Sequence, residues 1–328
     1  MNMSEYGLVT KGGEQQVAFY LCEQFAMLPF ITAVEPLRIA NRRANRPLYQ
    51  WHVVSADGKA VKATNGMVQP ADYSVEETPG FSMVFIIGPY SPRTFNHVPS
   101  LAWLRYQARQ GAMIGGIDTG STIMARAGLL SGYVCTTHWE KIQEFKQDNP
   151  RITVTSDIFE IQGGRISCAG GCASMDMMLH LIEQQHGHQL SVSVAESMIH
   201  SNVRAPDQPQ RADLKTRTGV SDPTLLEVIE LMEANIEEPL SSTELALLTG
   251  VSRRKLERLF LRYLQSSPGH YYLELRLDAG QQMLRNTALK ILEVALACGF
   301  RSPGHFSSRY RARFGRSPRE ERKKVAGK

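Results

Sequence analysis

The segment GGIDTGSTIMARAGLL, residues 115–130, carries the most suggestive chemistry of the chain. An apolar run ends in Gly115 and Gly116, a polar turn follows, and then an amphipathic helical pattern begins. Several hydrolases present a nucleophile on such a strand-to-helix elbow, because the sharp turn lifts one side chain above the sheet. This tip reads Asp118-Thr119-Gly120, with neither Cys nor Ser leading it. A carboxylate lacking an adjacent base, a metal or an activated substrate does not replace a thiolate in amide chemistry. No catalytic residue is assigned, and the expected chemistry is binding. The N–H groups of Thr119 and Gly120, at a helix start, suit an anion such as a ligand carboxylate. Asp118 brings negative charge beside them, joined by Glu35 if that residue reaches the same crevice. Two carboxylates at one unpaired site call for a cationic partner. Asp118 serves equally well as the N-cap of the elbow helix. Trp51 and Trp139 could wall such a site or be ordinary core.

The pairs Cys135-Thr-Thr-His138 and Cys168-Ala-Gly-Gly-Cys172 lie near zinc-ligand spacing, but their surroundings read as strand ends and a helix start. No metal and no cofactor is therefore expected, and His138 and Trp139 are placed at the pocket as lining or buttress. Five cysteines without a regular framework, in a chain large enough to bury a core, point to reduced thiols.

Charge separates the two ends of the chain. Residues 1–220 hold 19 Lys and Arg against 19 Asp and Glu, whereas from Arg253 onward there are 18 basic against 6 acidic residues, interleaved with aromatics. A folded basic module of this kind suits nucleic acid. It also contains a repeat. Glu244, Ala246 and Gly250 recur as Glu293, Ala295 and Gly299 at an offset of 49; Ser252, Leu256 and Phe260 recur as Ser302, Phe306 and Tyr310 at 50. Each copy reads as helix, glycine turn and helix, the first with a Ser241/Glu244 capping box and the second helices capped by Ser252 and Ser302. Outward on the first of these second helices lie Arg253, Arg254, Glu257, Arg258 and Arg262, which suit guanine forks and phosphates. Residues 271–285 form a connecting helix with apolar Leu273, Leu277, Met283 and Leu284.

The elements that position the elbow alternate. Strands are expected at 17–25, 51–57, 81–89 and 112–118, and helices at 30–44, at 100–111 and after the elbow. Near-continuous apolar strands alternating with helices imply a parallel α/β sheet covered on both faces, with its site at the C-terminal strand ends, where Gly88, Asp118 and the Glu35 helix should converge. Residues 202–223, rich in Pro, Asp, Gln and Arg, read as a linker between a 1–201 ligand-sensing and dimerisation domain and a 224–328 DNA-binding domain. No apolar run is long enough to span a membrane, and the N-terminus lacks a signal-peptide pattern, so a cytoplasmic protein is expected.

Two resemblances follow from these residues. The stretches LSSTELALLTGVSRRKLERLFLRYLQSSPGHYYLELRL and RLDAGQQMLRNTALKILEVALACGFRSPGHFSSRYRARFGRSPREER resemble the two halves of the DNA-binding domain of the AraC/XylS family of transcription regulators, over about residues 221–322. This implies an all-α domain whose two recognition helices enter successive major grooves of promoter DNA. By position Arg254, Glu257 and Arg258 would read bases. In the second helix the slots fall on Pro303, Gly304, Ser307 and Ser308, short or non-donating, so weak base reading is implied, with His305 in the core and Arg309 positioning the backbone.

The stretches EPLRIANRR, IGGIDTGSTIMARAGLLSGY, CTTHWE and SCAGGCASMDMMLHLIEQQHG resemble the class I glutamine amidotransferase-like (PfpI-type) superfamily, a flavodoxin-like α/β fold, in the form found fused to AraC-type domains. Within that group the likeness is to regulators of arginine, glycine betaine or carnitine catabolism. The implied function is a homodimeric transcription activator that responds to a cationic amine or amino acid and acts with RNA polymerase. The alternative is an active hydrolase or amidotransferase carrying a DNA-targeting module, against which Asp118 speaks.

Overall fold

The computed structural model describes residues 13–287 and 289–326; residues 1–12 of the N-terminal stretch lie outside them. The chain folds as two compact units, the first running to Gln210 and the second starting at Arg211.

In the first unit the apolar runs become strands. β1 (Gln15–Leu21) and β2 (Tyr49–Ser55) pair in parallel around the crossover helix α1 (Met27–Ala44). The short ribbon β3 (Val61–Lys62) and β4 (Val68–Gln69) precedes the edge strand β5 (Tyr73–Ser74). Next come β6 (Met83–Ile87), α2 (Val98–Arg109), β7 (Met113–Ile117) and the elbow helix α3 (Gly120–Arg126). The unit continues with β8 (Val134–Cys135), α4 (Ile142–Asp148), β9 (Thr153–Val154), the hairpin β10 (Phe159–Gln162) and β11 (Arg165–Cys168), α5 (Ala173–His186) and α6 (His188–Ser197).

Among the described residues the main sheet has seven strands in the order β10-β11-β7-β6-β1-β2-β5, parallel except for the β10–β11 hairpin. Alternation along β1 assigns its two faces. Val17, Phe19 and Leu21 join α1, α5 and α6 in one core; Ala18 and Tyr20 join Trp103 and Leu104 of α2 and Ile123 and Met124 of α3 in the other. Covered on both faces, the strands are apolar at nearly every position. The chain passes from β1 to β2 on one side and returns to β6 on the other, so the order reverses between β1 and β6. A crevice opens at such a reversal, outside the carboxyl ends of the strands.

The second unit is helical: α7 (Leu214–Thr218), α8 (Pro223–Ala234), α9 (Ser242–Leu248), α10 (Arg253–Leu264), α11 (Pro268–Asn286), α12 (Ile291–Ala297), α13 (Pro303–Phe314) and α14 (Pro318–Ala326). It holds two small cores. Leu256 and Phe260 pack with Val228, Ile229 and Tyr272; Phe306 and Tyr310 pack with Val294, Leu277 and Leu284. Helix α11 contributes to both and so joins the two bundles. The 202–223 stretch divides between the units: Gln208 and Gln210 bond to residues 158 and 156, whereas Leu214 and Val220 enter the core of α8.

The elbow helix lies hard against the sheet. A Cβ on Gly120 would stand 2.2 Å from the Ile86 carbonyl oxygen, so only glycine permits this approach. Gly120→Ala should lower stability by about 1–3 kcal/mol through forced displacement of α3. Urea unfolding measures this, and an unchanged midpoint would show that the contact is not under compression.

Candidate functional site

Three strand ends build a cavity at the β1–β6 reversal. Gln24 and Ala26 follow β1, Gly88, Pro89 and Tyr90 follow β6, and Asp118 and Thr119 follow β7; Thr64, His138, Glu140 and Lys141 complete a lining around about 210 Å³. Asp118 has φ +61°, a left-handed conformation that costs a non-glycine residue about 1–3 kcal/mol. Its backbone is fixed from several directions. Its N–H donates to the Cys168 carbonyl (2.9 Å), and its carbonyl accepts from the Thr137 hydroxyl (2.9 Å) and the His138 N–H (3.3 Å). The turn therefore survives without a nucleophile on it.

Burial pushes the Asp118 carboxyl up from its ordinary 3.8 to about 6; Glu140 adds to the rise, and His138 and Lys141 oppose it. Lys141 sits 3.2 Å from Glu144 and over the Tyr90 ring at 5.7 Å, and Arg93 reaches Glu144 at 3.3 Å and Asp148 at 2.6 Å. The cavity thus presents both signs of charge. Burial pushes the Cys135 and Cys168 thiols up to about 12, so neither supplies a thiolate near neutral pH.

The structure brings together Gly88, Asp118, Thr119 and His138 but not every residue expected beside them. Glu35 is a correction. The buried stripe of α1 runs through Phe30, Ala33, Leu37 and Ala40, and Glu35 falls outside it, paired with Arg38 at 2.6 Å. Gly120 is buried against β6 and does not line the cavity. Trp139 opens a short 3-10 turn, its ring tilted against His138, and is also outside the lining; Trp51 packs against the sheet core. The N-cap alternative for Asp118 fails, since Thr119 holds the cap position and its hydroxyl donates instead to the Pro89 carbonyl. Glu140, Lys141 and Tyr90 were missed, although the run HWEK just past the expected His138 held two of them in plain view.

In the second unit the local rules operate as the residues suggest. Ser241 and Glu244 form a full capping box on α9, Gly250 and Gly299 take φ +67° and +69°, and the Ser252 and Ser302 hydroxyls accept from the N–H groups of Lys255 and His305. On α10, Arg253, Arg254, Glu257, Arg258 and Arg262 are all exposed. Arg253 pairs with Glu257 at 3.3 Å, and Arg262 lies over the Tyr263 ring. Among the described residues Arg254 and Arg258 have no carboxylate partner. On α13, Pro303, Gly304, Ser308 and Arg309 are exposed and Ser307 is half-buried. His305 is exposed instead of lying in the core: it faces outward one turn before Arg309, whose Nε reaches its ring at 3.4 Å. The second turn is fastened by Arg276, which donates to the Cys298 and Gly299 carbonyls, both at 2.7 Å.

An α/β unit with a polar cavity at its topological switch, followed by paired helix-turn-helix elements with an arginine-rich second helix, defines a DNA-binding transcription regulator. Comparison with known proteins agrees. Residues 15–184 match the DJ-1/PfpI family, and residues 245–324 match a helix-turn-helix domain. The chain is 46% identical to the HTH-type transcriptional regulator CdhR of Pseudomonas aeruginosa over 94% of its length and 91% of that protein's. It is 43% identical to the HTH-type transcriptional regulator GbdR of the same species over 94% of its length and 84% of that protein's. A solved AraC family transcriptional regulator from Pseudomonas putida superposes with TM-score 0.52 at 28% identity, covering 56% of this chain and 99% of that one. The chain belongs to the family of HTH-type transcriptional regulators that join a DJ-1/PfpI domain to an AraC-type helix-turn-helix domain.

Two outcomes are expected from this geometry. The folded carboxyl of Asp118 titrates above its unfolded value, so its stabilising effect is complete below about pH 4 and is lost as pH rises through about 6. Asp118→Asn should thus be more stable than the wild type above pH 6, by up to about 3 kcal/mol, with the difference vanishing toward pH 4. Unfolding midpoints across that range test the sign. Arg258→Ala should weaken operator binding and relax base preference by about 1–3 kcal/mol; footprinting with unchanged affinity and preference would remove α10 from the interface.

Proposed function

We propose that this regulator binds a small nitrogenous metabolite with a cationic and a carboxylate end, and that occupancy changes its activity on promoter DNA. The carrying observation is Asp118, presented on a retained elbow in a cavity it shares with Glu140, Lys141 and His138, its carboxyl raised by burial to about 6. A ligand cation would pair with the Asp118 carboxylate, which is ionised above about pH 6, and Lys141 or His138 would face the ligand's acid. The cavity's size suits a compact amino acid or betaine. We assign Gly88, Asp118, Thr119 and His138 to this site, with Glu140, Lys141 and Tyr90 added. Arg254 and Arg258 are assigned to base reading; Arg253, Glu257, Arg262, Ser302, Pro303, Gly304, Ser307, Ser308 and Arg309 are assigned to the rest of the DNA face. The working form in this reading is a homodimeric activator in the cytoplasm, acting with RNA polymerase. Among the described residues no helix is long and apolar enough to cross a membrane.

Catalysis has no part in this reading, since Asp118 occupies the nucleophile position and the neighbouring thiols at Cys135 and Cys168 stay protonated.

A thermal-shift screen of the whole chain against arginine, glycine betaine and carnitine tests it, because a ligand that binds the folded state raises the melting temperature with concentration. Glycine betaine is the sharper probe, as its quaternary charge does not titrate. Its affinity should fall about tenfold per pH unit below about pH 6, as Asp118 protonates. Asp118→Asn should lose the shift while retaining operator binding. A flat screen at high ligand concentration, or an Asp118→Asn protein that still responds, would sink the proposal.

A further inference from the structure

The chain that leaves the first unit is tied directly to the loop that floors the cavity. Gln210, the last residue of that unit, aims its amide nitrogen at three acceptors: the Thr136 hydroxyl (2.9 Å), the Thr137 carbonyl (2.9 Å) and the Asp157 carbonyl (3.0 Å). Residues 137 and 138 are in turn the ones that hold the Asp118 carbonyl, and His138 lines the cavity. A single peptide unit therefore separates the cavity wall from the side chain at the domain boundary. Upstream the same segment is clamped at a second point, where fully buried Asp176 on α5 receives His200 at 2.8 Å and Arg204 at 2.6 Å.

We propose that Gln210 is the positioning residue that passes occupancy of the cavity to the chain entering the DNA-binding unit. The inference rests on the cavity being an effector site.

The bonding around Gln210 has the character of a tie that can be exchanged. An amide nitrogen has two protons, and three acceptors compete for them, so a small shift of the Thr137 carbonyl hands a proton to Thr136 or Asp157 instead. The amide oxygen Oε1 is buried without a partner among the described residues. An unpaired buried acceptor opposes the gain from the donor side, so the tie is marginal in strength. The Asp176 clamp, a buried carboxylate meeting the His200 ring and the Arg204 guanidinium, has no such surplus and holds the segment while Gln210 changes partner. A ligand that engages Asp118 or His138 moves residue 137 and biases that exchange. Coupling between sites requires such an element with two arrangements, both sensed by one ligand.

Gln210→Met keeps the length and bulk of the side chain and removes its donors. In the whole chain it should raise hydrogen exchange at amides 136–138 by about fivefold or more, with the β1, β6 and β7 amides unchanged. With glycine betaine as probe, the variant should bind within about twofold of the wild type while the betaine-induced change in operator affinity disappears. By reciprocity, the operator-induced change in betaine affinity disappears with it. Unchanged exchange at 136–138, or betaine that still alters operator affinity to the wild-type extent, overturns the proposal. If betaine, arginine and carnitine all fail to bind the wild type, the effector reading fails separately and a ligand-free arm decides. Asp118→Asn should then change exchange at the Gln210 amide, and Asp118→Asn in the Gln210→Met background should alter exchange at 136–138 no further. Independent effects of the two substitutions would overturn the coupling.

Discussion

The left-handed backbone at Asp118 is the constraint on which the first unit turns. A residue with a Cβ adopts φ +61° at a cost, so the surrounding structure must over-determine it. It does so with three hydrogen bonds to its backbone groups, from its N–H to the Cys168 carbonyl and to its carbonyl from the Thr137 hydroxyl and the His138 N–H, which draw the ends of β7 and β11 and the 136–138 loop to one point. Glycines let the chain close around that point. A Cβ at Gly88 would lie 2.2 Å from the Thr119 hydroxyl, and one at Gly120 would strike β6. The crevice at the strand-order reversal is consequently narrow and polar, and the carboxylate at its tip loses much of its water. Its upward titration shift is the electrostatic record of that loss.

The same turn in a hydrolase would present a nucleophile for attack. With a carboxylate on it, and with the nearby thiols protonated, what the geometry retains is presentation of a charge in a confined space. The proposed binding function would need nothing more from the fold.

The second unit shows how one local pattern used twice diverges in chemistry. Both helix-turn-helix copies keep the capping serine, the positive-φ glycine and the two core positions on the second helix, because these decide whether the turn forms. The outward positions are free of that demand. In α10 they include four arginines, three of them without carboxylate partners among the described residues; in α13 they include Pro303, Gly304, His305, Ser308 and Arg309. Arg276, reaching from α11 to the Cys298 and Gly299 carbonyls of the second turn, fastens the second copy.

Much of this was legible in the sequence, because the relevant signals are local. Apolar strands alternating with helices, glycine turns, capping serines and the charge shift at Arg253 each depend on residues a few positions apart, and they are sufficient to define the α/β sheet, the elbow and the paired helical repeats. The expected first strand, 17–25, ran past the observed end of β1 at Leu21, before Gln24 turns the chain at φ +61°. The cavity's membership was only half visible. Asp118, Thr119, Gly88 and His138 lie at or just beyond strand ends, and topology places strand ends together. Glu35 looked equivalent but was not, because a helix can turn any of its faces to the sheet, and α1 chose its apolar one, leaving Glu35 to Arg38. The positions of Glu140 and Lys141 at the cavity and of Gln210 against the 136–138 loop came from tertiary structure. They are set by which loops cross the sheet edge and where the chain leaves it, and those are properties of packing between segments far apart in the chain, such as Gln210 and Thr136, 74 residues apart, which no local pattern encodes.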